Sequence, residues 1–205
     1  MESAFRMDTL NKKGEFIMLN NRAFITEAET HAIIRYTKEA KADIVEIGTF
    51  AGGTAENAGQ HTPKGLAWWA IDLFEDFTDS KNPVHVYKEY LMKHGCIFNI
   101  QGDSREMGKY WNKPIGFLFI DGSHYVDDVR RDFAAWSPWL IPGGIIAFHD
   151  AYGFNQGELS PKFPSLNGYD LIHERGPEGV VAEVVAEGEW SIVETVDTVV
   201  FMSRT

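Results

Sequence analysis

The sequence predicts an α/β fold in which helices cover both faces of a mostly parallel sheet of seven strands. Five short apolar runs, each reaching a Gly or Asp near its C-terminal end, alternate with segments that can form helices. This alternation is typical of βαβ units, whose parallel strands are buried on both faces. The runs span residues 42–48, 66–74, 96–103, 115–123 and 143–150.

The C-terminal part of the chain predicts how this sheet ends. Residues 190–196 and 198–205 have the pattern of two strands, and only Asp197 separates them. An antiparallel C-terminal strand beside a parallel sheet is unusual for a dehydrogenase and typical of S-adenosylmethionine-dependent methyltransferases. The preceding residues 176–188 fit a helix or a strand, because short Val-rich runs are ambiguous by periodicity.

Composition and charge narrow the class of protein. The formal net charge of −11 disfavours a nucleic-acid partner, because such binding usually needs a basic surface. No apolar run approaches the roughly 20 residues of a membrane helix, and we expect neither a membrane partner nor a secretion signal. The single cysteine, Cys96, fits a reducing compartment, so the expected location is cytoplasmic.

A glycine-rich segment follows the first of these predicted strands. Its pattern is E-x-G-x-x-x-G-G, from Glu46 to Gly53, rather than the G-x-G-x-x-G of a dinucleotide-binding loop. The acid suits a cationic amino-acid end, such as that of S-adenosylmethionine, better than a pyrophosphate. A tight turn without a ligand is the alternative. The candidate cofactor-binding residues here are Glu46, Gly48, Thr49, Phe50, Gly52 and Thr54.

The next two strand ends supply further candidates for the cofactor site. Asp72 lies where nucleotide-binding α/β domains place an acid on the ribose hydroxyls, and Leu73 can cover one face of an adenine. Asp103 or Ser104 can meet the adenine amino group. Asp103 also fits the N-cap of a helix, and the two roles are compatible.

Two carboxylates and two imidazoles follow the fourth and fifth of these strands. Because the carboxyl ends of parallel strands meet at one edge, Asp121, His124, His149 and Asp150 are expected to converge. Mg²⁺ prefers oxygen ligands, so Asp121 and Asp150 are the first choices and His149 a third; an imidazole also accepts Mn²⁺ or Zn²⁺. Alternatively, Asp121 orients a loop and the histidines are hydrogen-bonded polar residues.

These segments together resemble class I S-adenosylmethionine-dependent methyltransferases with a Rossmann-like fold. The resemblance is closest to methyltransferase family 24, which includes cephalosporin-hydroxylase-like proteins and macrolide sugar O-methyltransferases. It is carried by VEIGTFAGGT, IDGSHYVDDVRRDF and WLIPGGIIAFHD, which begin at Val45, Ile120 and Trp139. It covers residues 43–150 well and the C-terminal strands loosely.

The resemblance implies an enzyme that methylates a small hydroxylated acceptor, a sugar or other natural product, with a divalent metal. It places the metal on Asp121 and on an acidic pair at positions 149 and 150. His124 would be the general base, with Asp121 beside it in the catalytic site. This sequence has His149 where the relatives carry Glu, which bears on whether a metal binds.

The expected organisation is one methyltransferase domain over residues 1–205. Thr26, with Glu29 three residues later, predicts the capping box of its first long helix. A compact chain of this kind can complete its site by forming a homo-oligomer. The expected parts are an N-terminal segment (1–24), a cofactor-binding core (43–150), a lid loop (151–169) and a C-terminal helix and strand pair (176–205).

Three other functions are compatible with parts of this pattern. The enzyme can work without a metal, with His124 alone as base. The chain can be a non-catalytic Rossmann-like protein that binds the cofactor. A nicotinamide-dependent oxidoreductase is disfavoured by the absence of G-x-G-x-x-G and by the antiparallel C-terminal strand. The identity of the acceptor and the choice between O- and N-methylation stay open.

Overall fold

The computed structural model describes residues 6–10, 16–19, 23–50, 52–73, 95–151 and 176–205. The strands and helices of these residues follow one another in the alternating order that the sequence predicts. They are β1 (Arg6–Leu10), β2 (Phe16–Leu19), α1 (Glu27–Glu39), β3 (Asp43–Ile47), α2 (Gly53–Gly59), β4 (Trp68–Asp72), β5 (Ile97–Gln101), α3 (Ser104–Tyr110), β6 (Ile115–Ile120), α4 (Val126–Trp136), β7 (Leu140–Phe148), α5 (Gly176–Ala186), β8 (Trp190–Val196) and β9 (Val199–Arg204).

Seven of these strands form one sheet in the order β5-β4-β3-β6-β7-β9-β8. The first five strands in this order, β5, β4, β3, β6 and β7, are parallel to one another. Strand β9 lies antiparallel between β7 and β8, with Ala147 opposite Phe201. This arrangement confirms the predicted mostly parallel sheet with an antiparallel C-terminal strand.

Side chains of the sheet alternate between two separate apolar cores, one on each face. One core combines Val45, Leu118 and Ile146 with residues of α4 and α5. The other combines their neighbours in sequence, such as Ile44 and Phe117, with residues of α1 and α2. Because successive residues of a strand point to opposite faces, this division shows that helices cover both faces.

The N-terminal strands belong to a different sheet. Strands β1 and β2 pair only with each other, antiparallel, with Arg6 opposite Leu19. This hairpin lies within the predicted N-terminal segment, for which no strands are predicted from the sequence. The predicted lid loop lies outside the described residues, apart from the buried Ala151.

The ambiguous segment after the lid loop is a helix, α5. Its residues Val180, Val181 and Val184 are buried against the sheet. The helix begins in close contact with the loop that follows β6, since the Gly176 amide donates to the His124 carbonyl over 3.0 Å. A Cβ at Gly176 would lie 2.2 Å from that oxygen, so only glycine permits this approach. None of the helices in the described part of the chain has the length and apolar character that a membrane span requires.

Helix α1 begins with the predicted capping box. The Thr26 hydroxyl accepts a hydrogen bond from the Glu29 amide (3.1 Å), and the Thr26 amide donates to Glu29 Oε2 (2.7 Å). The same hydroxyl donates to Asp197 Oδ2 over 2.6 Å, in the turn between β8 and β9. This cap therefore ties the first long helix to the last hairpin of the sheet.

Replacing Thr26 by Ala tests this cap. The variant loses the hydroxyl that satisfies a helix amide and Asp197, so the free energy of unfolding is expected to fall by about 1–2 kcal/mol. Thermal unfolding followed by circular dichroism measures the change, and Lys38→Ala, at an exposed site of the same helix, is the control. Equal stability of the two variants would contradict the role of the cap.

Candidate active site

The carboxyl ends of the described parallel strands meet at one edge of the central sheet. Backbone hydrogen bonds between neighbouring strands continue into the first residue of the loop that follows each strand. The Gly48 amide donates to the Ile71 carbonyl (2.9 Å), and the Asp121 amide donates to the Ile47 carbonyl (2.8 Å). The His149 amide continues the pattern to Ile120 over 3.1 Å. The loops after β3, β4, β6 and β7 are thereby held side by side, as expected for the ligand-binding edge of such a sheet.

Gly48 is the point of closest approach between two of these loops. Its φ of +84° lies in the left-handed region, and a Cβ at this position would be 2.1 Å from the Asp121 carbonyl oxygen. Glycine is therefore required both by the backbone conformation and by the space. Further along the loop, Asp72 Oδ2 accepts a hydrogen bond from the Phe50 amide over 2.8 Å, and Gly52 is the N-cap of α2.

Glu46 lies beneath this loop rather than in a cavity. Its carboxylate is 1% exposed and accepts hydrogen bonds from the Thr49 hydroxyl (2.5 Å) and the Trp68 indole (3.1 Å). Burial raises the pKa of Glu46 to about 8, although these hydrogen bonds oppose the shift. Glu46 thus supports the loop through Thr49, and it lines neither of the two cavities described below.

The first cavity has a volume of about 400 Å³ and lies over the ends of β3, β4 and β6. Its size is within the range of small-molecule sites. Four of the predicted cofactor residues from the later strands line it: Asp72, Leu73, Asp103 and Ser104. The Asp103 carboxylate also caps α3 by accepting from the Arg105 amide over 2.9 Å, so the predicted capping role is confirmed.

One wall of the first cavity contains residues that the sequence analysis did not select. Arg105 bridges two carboxylates, donating to Asp103 Oδ2 (2.6 Å) and to Asp128 Oδ1 (2.5 Å). Asp132 is buried, which raises its pKa to about 6, and it accepts from the Ser104 hydroxyl over 2.5 Å. The spacing of Asp128 and Asp132, four residues apart on α4, is the sequence signal for this wall.

The second cavity, of about 340 Å³, lies beside the first and shares part of its lining. Gly48, Phe50 and Asp121 line both cavities. The second cavity is otherwise formed by residues from the loops after β3, β6 and β7, from the start of α2 and from the segment before α1: Ala23, Phe24, Thr49, Gly53, Thr54, His124, His149 and Asp150. The two spaces therefore meet at a common boundary, which we call the shared wall: Gly48, Phe50 and Asp121.

Phe24 contributes an exposed aromatic ring to the second cavity. The ring is 80% exposed and stands edge-on to Phe50, with 5.3 Å between the ring centroids. A large apolar side chain this exposed beside a polar cavity is available for contact with a ligand.

His149 is the centre of the polar groups in the second cavity. Its Nδ1 lies 2.8 Å from Asp121 Oδ1 and 3.3 Å from Asp150 Oδ2, and its Nε2 is 3.8 Å from Glu29 Oε2. Burial disfavours the charged ring, but these carboxylates outweigh burial and raise the pKa of His149 to about 12. The acidic neighbours therefore favour the charged form of the ring, while burial raises the pKa of the Asp121 carboxyl.

His124 and Asp150 face the same space. His124 Nε2 lies 3.1 Å from Asp150 Oδ2, and this contact raises the pKa of His124 although its burial opposes the rise. Asp150 has a φ of +53°, in the left-handed region that non-glycine residues seldom adopt. One ligand atom from each of Asp121, His124 and Asp150 lies within 4.8 Å of the other two, a spacing that a divalent ion can bridge.

The structure brings most of the predicted site residues together but divides them differently from the sequence analysis. Thr49 and Thr54, predicted as cofactor residues, line the second cavity. Gly52 lines neither cavity and acts as the N-cap of α2. The metal set suggested by geometry contains His124, whereas the sequence analysis names His149 as third ligand.

Comparison with known protein families identifies the family of this chain. A family model described as a methyltransferase domain, methyltransferase family 24, matches residues 45–151, which is more than half of the chain. The chain belongs to methyltransferase family 24. The resemblance suggested by the sequence motifs is thus confirmed, and the matched span contains both cavities' strand ends.

Solved structures support the fold of this family 24 chain. The SAH-bound methyltransferase PaMTH1 of Podospora anserina has a TM-score of 0.64 at 16% identity, over 89% of this chain and 80% of its own. The O-methyltransferase TomG of Streptomyces achromogenes, in complex with SAM, gives 0.62 at 15% identity, over 88% and 81%. An O-methyltransferase of Bacillus cereus gives 0.63 at 14%, over 88% and 82%. At these identities the likeness is one of fold.

A curated relative matches over a shorter stretch. The uncharacterized protein y4gI of Sinorhizobium fredii is 36% identical over 64 residues, which is 27% of this chain. The match spans 7% of the length of that protein, so it carries no information on the activity of the whole chain.

Replacing Gly48 by Ala tests the close approach of the two loops. Gly65→Ala is a matched control, because Gly65 also has a positive φ (+91°) but nothing within 4 Å of an added Cβ. Both substitutions introduce backbone strain, and only Gly48→Ala also introduces a clash with Asp121. Gly48→Ala is expected to be less stable than the control by about 1–3 kcal/mol in urea unfolding. Equal stabilities would contradict the described contact.

The buried Glu46 predicts a pH dependence of stability. The folded chain keeps this proton up to a pKa of about 8, whereas the unfolded chain loses it near 4.5. The folded state therefore becomes less stable as the pH rises from 4.5 to 8. Glu46→Gln removes this titration, so its stability relative to the wild type is expected to rise from pH 5 to pH 8. Urea unfolding at both pH values measures this, with exposed Glu187→Gln as control; a constant difference would contradict it.

Proposed function

We propose that this family 24 methyltransferase transfers a methyl group from S-adenosylmethionine to a hydroxyl of a small metabolite, such as a sugar or another natural product. The observation that carries the proposal is the pair of cavities that meet at the shared wall. The first cavity takes the adenosine half of the cofactor, and the second takes its methionine end and the acceptor, so the methyl group meets the acceptor beside Gly48, Phe50 and Asp121.

The lining of the first cavity fits the adenosine half. Asp72 offers carboxylate oxygens to the ribose hydroxyls, and Leu73, 43% exposed, offers an apolar surface to the base. Asp103 and Ser104 lie at the far end, where the adenine amino group would be hydrogen-bonded. The residues that line both cavities then place the rest of the cofactor beside the second cavity.

The second cavity takes the methionine end of the cofactor and the acceptor hydroxyl. The methionine end lies against Thr49 and Thr54, which agrees with the assignment of these two residues from the sequence. The acceptor enters beside Phe24, whose exposed ring supports an apolar face of the molecule. TomG and the Bacillus cereus neighbour are both described as O-methyltransferases, which supports a hydroxyl acceptor.

The chemistry needs little covalent participation by the protein. S-adenosylmethionine supplies a methyl group on a sulfonium sulfur, which leaves as a neutral thioether. The chain holds the acceptor oxygen in line with that methyl group at the shared wall, and positioning of this kind supplies much of the rate increase. In a reaction without a metal, His124, 44% exposed in its side chain, accepts the hydroxyl proton as the new bond forms. As a metal ligand it would not be free to do so, and the proton would pass to water.

A divalent metal fits the residues at this place. The ligand atoms of Asp121, His124 and Asp150 are close enough together to hold one ion, and two of them are the oxygens that Mg²⁺ or Mn²⁺ prefers. His149 is a poorer ligand than the sequence suggests, because its Nδ1 is already hydrogen-bonded with Asp121 Oδ1. A metal bound there would hold the acceptor hydroxyl and lower its pKa.

A metal-independent reaction is the second candidate, and a specific contact favours it. Asp150 Oδ2 holds His124 Nε2 at 3.1 Å, which is the arrangement of a carboxylate that orients a general base. In this version His149 supplies the positive charge that a metal would otherwise bring to Asp121 and Asp150.

Calorimetric titration with S-adenosylhomocysteine tests the cofactor site. The wild type is expected to bind with micromolar affinity. Asp72→Asn keeps an oxygen for the Phe50 amide but loses the carboxylate charge, and about tenfold weaker binding is expected from the lost charge-assisted hydrogen bonds to ribose. Asp127→Asn, on an exposed side chain, is the control. Absence of binding by the wild type would contradict the proposed function.

Turnover with a chelator separates the metal-dependent and metal-independent versions. Transfer of labelled methyl groups to catechol and to methyl α-L-rhamnopyranoside is measured with Mg²⁺, with Mn²⁺ and with EDTA. The metal-dependent version predicts that EDTA stops turnover and that added metal restores it. Turnover that EDTA leaves unchanged, but that His124→Gln lowers about 100-fold or more, assigns the base role to His124.

A further inference from the structure

Glu29 is an almost fully buried carboxylate at the start of a helix. It lies in the first turn of α1, yet it is only 1% exposed, and a buried glutamate normally has partners that compensate for its charge. The capping box accounts for one oxygen, Oε2, which accepts from the Thr26 amide. The other oxygen, Oε1, accepts from the Thr198 amide (2.8 Å) and hydroxyl (2.6 Å). The carboxylate is therefore fixed from two sides by the helix start and the β8–β9 turn.

The fixed carboxylate faces His149, one of the residues that line the second cavity. Oε2 of Glu29 is 3.8 Å from Nε2 of His149, and the side chains are 1% and 7% exposed. The opposite nitrogen of the same ring contacts Asp121 and Asp150. Because this contact is shielded from water, the attraction between Glu29 and the ring is far less screened than at the surface.

We propose that Glu29 is a positioning residue of the acceptor site, which fixes the ring of His149 and, through it, the carboxylates of Asp121 and Asp150. This inference rests on the proposed function. Glu29 lines neither cavity and touches neither reactant, so its effect passes through His149. The sequence pattern assigns Glu29 to the helix cap alone.

The expected consequence is a loss of alignment without a loss of cofactor binding. When the charge of Glu29 is removed, the ring of His149 loses its partner at Nε2 and holds the two aspartates less firmly. Small displacements of groups that align an acceptor lower the rate strongly. The affinity for S-adenosylhomocysteine should stay unchanged, because most of its contacts are in the first cavity.

Glu29→Gln and Thr198→Val form a matched pair of variants. Each weakens the interactions of the same carboxylate, but Thr198→Val acts on the side away from His149. Glu29→Gln is expected to lower kcat about tenfold or more, with little change in the KM for S-adenosylmethionine. Thr198→Val should keep kcat within about twofold while it lowers the melting temperature. Equal effects of the two variants on kcat would overturn the proposal, since Glu29 would then act only through stability.

A double-mutant cycle tests whether the effect passes through His149. In His149→Asn, the amide nitrogen can take the place of Nδ1 beside Asp121, but nothing replaces Nε2 facing Glu29. If Glu29 acts through the ring, Glu29→Gln should lower kcat no further in the His149→Asn background. Independent, multiplicative losses would contradict the proposal. Should Glu29→Gln fail to fold, Glu29→Asp, which withdraws the carboxylate from the ring, is used in the same cycle with the same two outcomes.

The NMR signals of the His149 imidazole test the contact with Glu29 independently of the proposed function. With ¹⁵N-histidine labelling, Glu29→Gln is expected to shift the His149 ring signals, and Thr198→Val to leave them in place. This readout requires no acceptor. If the wild type fails to bind S-adenosylhomocysteine, the proposed function fails while the contact is still tested. Unshifted ring signals in Glu29→Gln, in a protein that binds the cofactor product, overturn the inference alone.

Discussion

The site depends on the close approach of the loops that follow β3 and β6. Gly48 packs against the backbone of Asp121 at a distance that no side chain permits. The hydrogen bond from the Asp121 amide to Ile47 fixes the same contact from the other strand. Because Asp121 borders both cavities, this contact determines where the first cavity ends and the second begins. Loosening it would merge the two cavities.

The second constraint is the concentration of acidic groups at this edge. The carboxylates are accommodated in different ways. Among the described residues, Glu46 accepts from two neutral donors, the Thr49 hydroxyl and the Trp68 indole; burial raises its pKa to about 8, which favours the protonated form at neutral pH. Asp121, Asp150 and Glu29 instead surround the ring of His149, whose pKa they raise, and the pKa of Glu29 falls to about 2 despite its burial. The acidic groups of the second cavity therefore favour a positive charge on this ring.

Much of the fold and part of the site could be predicted from local sequence patterns. The apolar runs give the strands, Thr26 and Glu29 give the start of α1, and the acid and glycines from Glu46 onward give the loop. These features depend on residues close together in sequence. The contact between Glu29 and His149 joins positions 120 residues apart, so no periodicity or spacing reveals it. The sequence predicts His149 as the third metal ligand, whereas the structure brings His124 to that place. The reason is the same, because tertiary contacts decide the orientation of both rings.

A crystal structure of the complex with S-adenosylhomocysteine tests the two-cavity account most directly. The account predicts that the ribose hydroxyls bind the carboxylate of Asp72, that the adenine lies near Asp103 and Ser104, and that the sulfur sits at the shared wall facing His124. A complex in which the ribose lies away from Asp72, or in which the sulfur points away from the second cavity, would contradict it.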